Sequence, residues 1–243
     1  MATTNAVPEF KPSANGLHFT NSWPSEPDLV IDAGPLGKIP IGDASNGLCG
    51  GMVYTVIDVF RAGLPPIPDT TNPPQSSPLF KYIVARLLAS FDVPAGVLTY
   101  YAWMTTPDHD TGFWFMTRRG VAWKTIKEEW PKIKADIDGG NLSPLGVVTV
   151  YSADPRMLGH NHQVLAYRYE IDDTERLTLH VYDPNTAPSG ADDVSLSLDL
   201  SNPTKITPIT HNVNISSGIR GFFRTNYVFS DPSAIQPHES AHG

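Results

Sequence analysis

Apolar residues along this chain change their period once, and the change divides it into a helical part and a strand-rich part. From Gly50 to Ala62, Val53, Val56, Ile57 and Phe60 recur at helical intervals, and Gly63 with Pro65 and Pro66 stops the run. After a Pro-rich loop from Leu64 to Pro78, Ser77-Pro78 opens a second amphipathic helix, LFKYIVARLLASF. Residues 96–123 form a mixed segment crowded with aromatics. A third helix is predicted over 125–138, kinked or restarted at Pro131 and ended by Asp138-Gly139-Gly140. Beyond it the pattern turns to alternation and β-branched runs at 145–151, 162–170, 176–183 and 194–200, with two further strands in KITPIT and IRGFFRTNYVF.

Helices first and an antiparallel sheet second predict an α+β fold, not a series of βαβ units. Residues 1–40 hold only isolated apolar groups such as Phe19, Trp23, Leu29 and Ile31, and read as an extended N-terminal lead-in. With no internal repeat and no clean linker, 41–243 reads as a single domain. Its helical lobe spans about 41–140 and its β lobe about 141–232.

Composition narrows the partners. Asp and Glu outnumber Lys and Arg by 25 to 17, so the net charge of −8 argues against nucleic acid or an anionic membrane as the main partner. Apolar stretches fall short of the roughly 18 to 20 residues of a membrane helix, and the N-terminus lacks the basic-then-apolar order of a secretory signal. A single cysteine excludes an internal disulfide. A reducing, cytoplasmic setting is therefore the default expectation, with export by an unconventional route left open.

That cysteine is also the first candidate for chemistry. Cys49 lies in Asn46-Gly47-Leu48-Cys49-Gly50-Gly51, directly ahead of the first helix. A thiol there meets the positive end of the helix dipole and free N–H groups, which favour thiolate. His162 opens a strand after the turn Leu158-Gly159-His160-Asn161, and the next strand ends in Val181-Tyr182-Asp183-Pro184-Asn185. If the two strands form a hairpin, Asp183 or Asn185 comes within reach of the His162 imidazole. Thiol, imidazole and an orienting carboxylate or amide are the parts of nucleophilic acyl transfer.

This order of residues resembles the papain-like cysteine peptidase superfamily. Asn161-His162-Gln163-Val164-Leu165-Ala166-Tyr167 is similar to the stretch around the catalytic histidine of papain and cathepsins. Val181-Tyr182-Asp183-Pro184 is closer to the bacterial C39-like branch, and the helix, Gly turn and apolar strand of Ile133–Val148 fit that branch as well. The resemblance covers about residues 43–185. It implies a helical lobe whose nucleophile helix packs on a C-terminal antiparallel sheet, with Cys49 as nucleophile, His162 as general base and acid, and Asp183 orienting the imidazole.

Papain-like enzymes commonly carry Gln six residues before the cysteine, where this chain has Asp43. Asn46 is the nearest amide and the candidate oxyanion donor beside the Cys49 backbone N–H. Asn185 is the alternative orienting residue. The implied activity is hydrolysis of a peptide, amide or ester bond through a thioester, without metal or cofactor. An amine acceptor would make the same residues a transamidase or acyltransferase. A binding or toxin-like module on a degenerate scaffold is the non-enzymatic alternative. Oligomeric state is not legible.

Other motifs weigh less. His160 and His162 form a His-x-His pair, but Ala166 and Tyr167 stand where a cupin-type site needs Glu. Asp108-His109-Asp110 resembles a metal cluster yet reads as a solvated turn. Tyr100, Tyr101, Trp103, Phe113, Trp114, Phe115 and Trp123 suggest either a substrate groove or core packing between lobes, and packing is expected for most. Arg118-Arg119 reads as a solvated pair, and Asn214-Ile215-Ser216 as a chance sequon.

Overall fold

The structure, a computed structural model, describes residues 2–23, 28–32, 38–43, 47–113 and 116–236. It is a mixed α+β fold in which an antiparallel sheet in the order β10-β9-β8-β7-β6-β11 is flanked by helices. The strands are β6 (Ser143–Val148), β7 (His162–Ile171), β8 (Arg176–Tyr182), β9 (Ser195–Asp199), β10 (Thr210–His211) and β11 (Gly221–Arg224).

Strand β7 is the centre of the sheet. Its first half pairs with β6, from His162↔Val147 to Ala166↔Ser143, and β8 pairs with it from Leu165↔Tyr182 to Ile171↔Leu177. Its second half takes a third partner, β1 (Thr3–Ala6), through Arg168↔Ala6 to Ile171↔Thr3. The N-terminal segment is therefore woven into the sheet. It continues through α1 (Pro12–Asn15) and buries Phe10, Leu17, Phe19 and Trp23 in the core.

Helix α2 (Cys49–Arg61) runs against β7 and α3 (Pro78–Ser90). The start of α3 follows from local chemistry. Ser77 caps α3 by accepting from the Phe80 N–H, with Pro78 at the first position. Contact between α2 and α3 is close because Gly50 and Gly51 carry no side chain. A Cβ at Gly51 would lie 2.1 Å from the Ile83 carbonyl oxygen, and one at Gly50 would lie 2.3 Å from Ser90 Oγ.

Helix α4 (Ala95–Met104) occupies the segment read from sequence as mixed. It is apolar nearly all round, so it lacks the one-sided stripe that marks a surface helix. The expected third helix is a continuous run of α5 (Val121–Trp123), a π-helical stretch (Lys124–Glu129) and α6 (Trp130–Asp138). Pro131 follows directly on the π-helical stretch, and the Trp130 N–H reaches back to the Thr125 carbonyl.

Two short hairpins, β2 (Asp28–Asp32) with β3 (Lys38–Asp43) and β4 (Thr111–Phe113) with β5 (Met116–Arg118), stand outside the main sheet. The expected KITPIT strand contracts to β10, since Pro208 cannot donate to a ladder. IRGFFRTNYVF contracts to β11.

Among the described residues no single helix is long and apolar enough to cross a membrane. Helices α3 and α4 pass that test only as a pair bent by 64°. The one cysteine permits no internal disulfide.

Candidate catalytic centre

Cys49 is the first residue of α2 and is partly exposed. The residue two before it, Gly47, has φ +94, a left-handed conformation that glycine adopts without strain. This turn brings the chain into the helix so that Leu48 O accepts from Met52 N at 2.9 Å, while the N–H groups of the first turn point along the helix axis with no partner among the described residues. The sulfur therefore sits at the positive end of α2.

His162 begins β7 and Asp183 directly follows β8, so the antiparallel pairing sets both at the same end of the sheet. His162 Nε2 lies 2.8 Å from Asp183 Oδ1, and the Cys49 side chain acts on the same ring, whose other nitrogen is Nδ1. Both His162 and Asp183 are buried, at 6% and 0% exposure. Asp183 is fully engaged. Its Oδ1 also accepts from Asn185 N at 3.0 Å, and its Oδ2 from Thr186 Oγ1 and Asn214 N, each at 2.8 Å.

The electrostatics follow from that arrangement. Burial alone drives the His162 pKa down, but the Cys49 sulfur and the Asp183 carboxylate outweigh it and raise it from 6.5 to about 10. Burial pushes the Asp183 carboxyl upward, and the His162 hydrogen bond and charge, with two backbone N–H groups, bring it below its ordinary value. The imidazole is thus held as a cation between the Cys49 sulfur and the Asp183 carboxylate.

A narrow cleft of about 50 Å³ opens onto the sulfur, lined by Asn21, Phe91, Tyr100, Leu158 and Gln163 among others. Tyr100 and Gln163 form its buried floor, each 2% exposed, and burial keeps the Tyr100 hydroxyl protonated. Gln163 Nε2 donates to Ser90 Oγ at 3.1 Å, across the space that Gly50 leaves empty.

The remaining sequence candidates fall elsewhere. Asn46 lies outside the described residues, and Asp43 ends β3. Asn185 lines the cleft, but its Oδ1 accepts from Asn21 Nδ2 at 2.8 Å and its Nδ2 donates to Asn214 O, so it does not orient the imidazole. His160 is exposed in the 3₁₀ turn Pro155–His160, and Asn161 intervenes before the strand on which His162 lies.

Asp108 is paired with Arg220 and Asp110 with Arg119, and no cluster of potential metal ligands occurs among the described residues. Tyr100 and Trp103 are core residues, with Phe223 stacked against both. Trp114 and Phe115 lie outside the described residues. Arg118 donates to the Thr105 carbonyl. Asn214, the sequon residue, serves the site through its backbone N–H.

One residue at the cleft has no sequence signal. Asn21 comes from the N-terminal segment, 28 positions before the cysteine (49 − 21), and its Oδ1 accepts from Leu48 N at 2.6 Å. No spacing rule connects it to Cys49; only the path of the chain does. No family model, curated protein or solved structure matches this chain.

Proposed function

We propose that this protein is a papain-like cysteine hydrolase that cleaves a peptide, amide or ester bond. The meeting of Cys49 and His162 in one cleft, with Asp183 hydrogen-bonded to the far side of the imidazole, carries this reading. In the first half-reaction the Cys49 sulfur attacks the carbonyl carbon. A C–S bond forms, the carbonyl electrons move onto oxygen, and His162 passes its proton to the leaving amine or alcohol as the old bond breaks. In the second, His162 takes a proton from water as the water oxygen attacks the thioester. The C–S bond breaks, and the sulfur leaves with the proton pairing restored. Asp183 keeps the ring oriented and its charge compensated throughout.

The test uses p-nitrophenyl acetate and iodoacetamide. The wild type is expected to release nitrophenolate in a burst, with one acetyl group on Cys49 by intact mass, and to alkylate at the same residue. Cys49→Ala loses both, and His162→Ala slows acylation about 10²–10⁴-fold. Slow alkylation at equal rates in wild type and His162→Ala, with no burst, rejects the hydrolase reading and favours a binding module. Transfer of the acetyl group to an added amine in preference to water converts the reading to an acyltransferase.

A further inference from the structure

Any carbonyl attack by Cys49 creates an oxyanion, and a site that performs it needs donors preorganised around that oxygen. The Cys49 backbone N–H, at the helix start and without a partner among the described residues, is one. We infer that Asn21 supplies the side-chain donor, so that the N-terminal segment is part of the catalytic machinery. This inference rests on the hydrolase reading and extends it to a residue outside the Cys49, His162 and Asp183 constellation.

Four amide side chains line the cleft, and their hydrogen bonds separate them. Asn161 Nδ2 is committed to the Leu158 carbonyl and Met104 Sδ, and its Oδ1 to Thr149 N. Asn185 Nδ2 is turned toward the Asn214 carbonyl. Gln163 is 2% exposed and its Nε2 donates to Ser90 Oγ behind Gly50. Asn21, Asn161 and Asn185 are all half-buried and bonded through both amide atoms, and what sets Asn21 apart is that its anchor is the backbone of Leu48, the residue before the nucleophile. Oδ1 accepts from Leu48 N at 2.6 Å, and one Nδ2 hydrogen goes to Asn185 Oδ1 at 2.8 Å.

Those two bonds set which end of the amide is oxygen and which is nitrogen, and they leave the second Nδ2 hydrogen without a partner among the described residues. The turn is shaped around this group. A Cβ at position 47 would lie 2.6 Å from Asn21 Nδ2, so Gly47 makes room for the amide as well as supplying the left-handed turn. A donor tied to Leu48 N moves with the nucleophile's own backbone, which is the preorganisation an oxyanion donor requires.

The experiment compares two reactions at one sulfur. Alkylation by iodoacetamide displaces iodide from a saturated carbon and builds no oxyanion, whereas acylation by p-nitrophenyl acetate does. Asn21→Ala is expected to lower the acylation rate about 10²–10³-fold while leaving the alkylation rate within about threefold of wild type. Asn21→Asp keeps the acceptor for Leu48 N and loses the donor, so its ratio of acylation to alkylation falls likewise. It carries the test if the alanine variant does not fold. Equal loss of both reactions shows a purely structural residue, and unchanged acylation shows no role; either overturns the inference while the hydrolase reading stands. A wild type inert toward the ester removes that reading and, with it, the role of Asn21.

Discussion

Asp183 Oδ1 meets His162 Nε2 at 2.8 Å, and three further donors from 185, 186 and 214 complete the carboxylate. The histidine's charge is therefore sustained from one side by a carboxylate that is itself held rigid, and from the other by sulfur.

The first prediction concerns that charge. In nitrogen-detected NMR the His162 ring is expected to remain protonated through neutral pH and to titrate near 10. Asp183→Asn and Cys49→Ala each remove a partner that raises the value, so each moves the titration down. A ring that titrates at the ordinary 6.5 in the wild type contradicts the paired arrangement. The stability consequence has a definite sign. Because the folded value exceeds the unfolded one, the pairing contributes fully below about pH 6.5 and is lost as pH rises toward about 10. The difference in melting temperature between wild type and His162→Gln should shrink over that window.

A second prediction lies away from the cleft. Asp58 in α2 is fully buried and pairs with Arg86 of α3 at 2.6 Å, while Tyr82, Tyr227 and Ser230 N donate to the same carboxylate. Arg86 in turn donates to the Val228 carbonyl and covers the Tyr54 ring. Burial pushes the Asp58 carboxyl upward against these partners, so the network is held together by its completeness. Asp58→Ala strands a buried guanidinium and should cost about 3–5 kcal/mol, read by urea denaturation. A loss below about 1 kcal/mol would show that the pair behaves as a surface one.

The third separates two adjacent glycines. Gly51→Ala drives a methyl group into the Ile83 backbone at 2.1 Å, whereas at Gly50 the nearest atoms are the side-chain ends of Ser90 and Gln163. Overpacking typically costs about 1–3 kcal/mol. Gly51→Ala is expected at or above the upper end and Gly50→Ala below it, because side chains rotate away and a helix backbone does not. Gly50→Ala should instead disturb the cleft floor, altering acylation more than stability. Equal destabilisation by both variants would contradict this difference.

The legible parts of the molecule were those with local signals. Helix α2, helix α3 and strands β6 to β9 announce themselves through periodicity and through punctuation by Gly, Pro and Ser. Cys49, His162 and Asp183 could be singled out because each stands at the end of such an element. What remained hidden depends on tertiary context. Helix α4 carries apolar residues such as Leu98 on its exposed side as well as its buried one, and so has no polar face to betray its period. Strand β1 is four exposed residues whose pairing with β7 is a long-range event. Asn21 carries no motif, since its place beside Leu48 is set by how the N-terminal segment crosses the domain. Nearness in sequence points to Asn46, which lies outside the described residues, while the amide that meets Leu48 N comes from a distant stretch.

The pairing of Thr3–Ala6 with Arg168–Ile171 has a consequence for biosynthesis. Thr3–Ala6 have no strand to join until the chain through Ile171 has been made, and Cys49 is synthesised long before His162 and Asp183. A nascent chain arrested before β8 carries the Cys49 thiol without the His162–Asp183 couple. On the hydrolase reading proposed above, translation itself would postpone reactivity until the strands that bring the three groups together have been made.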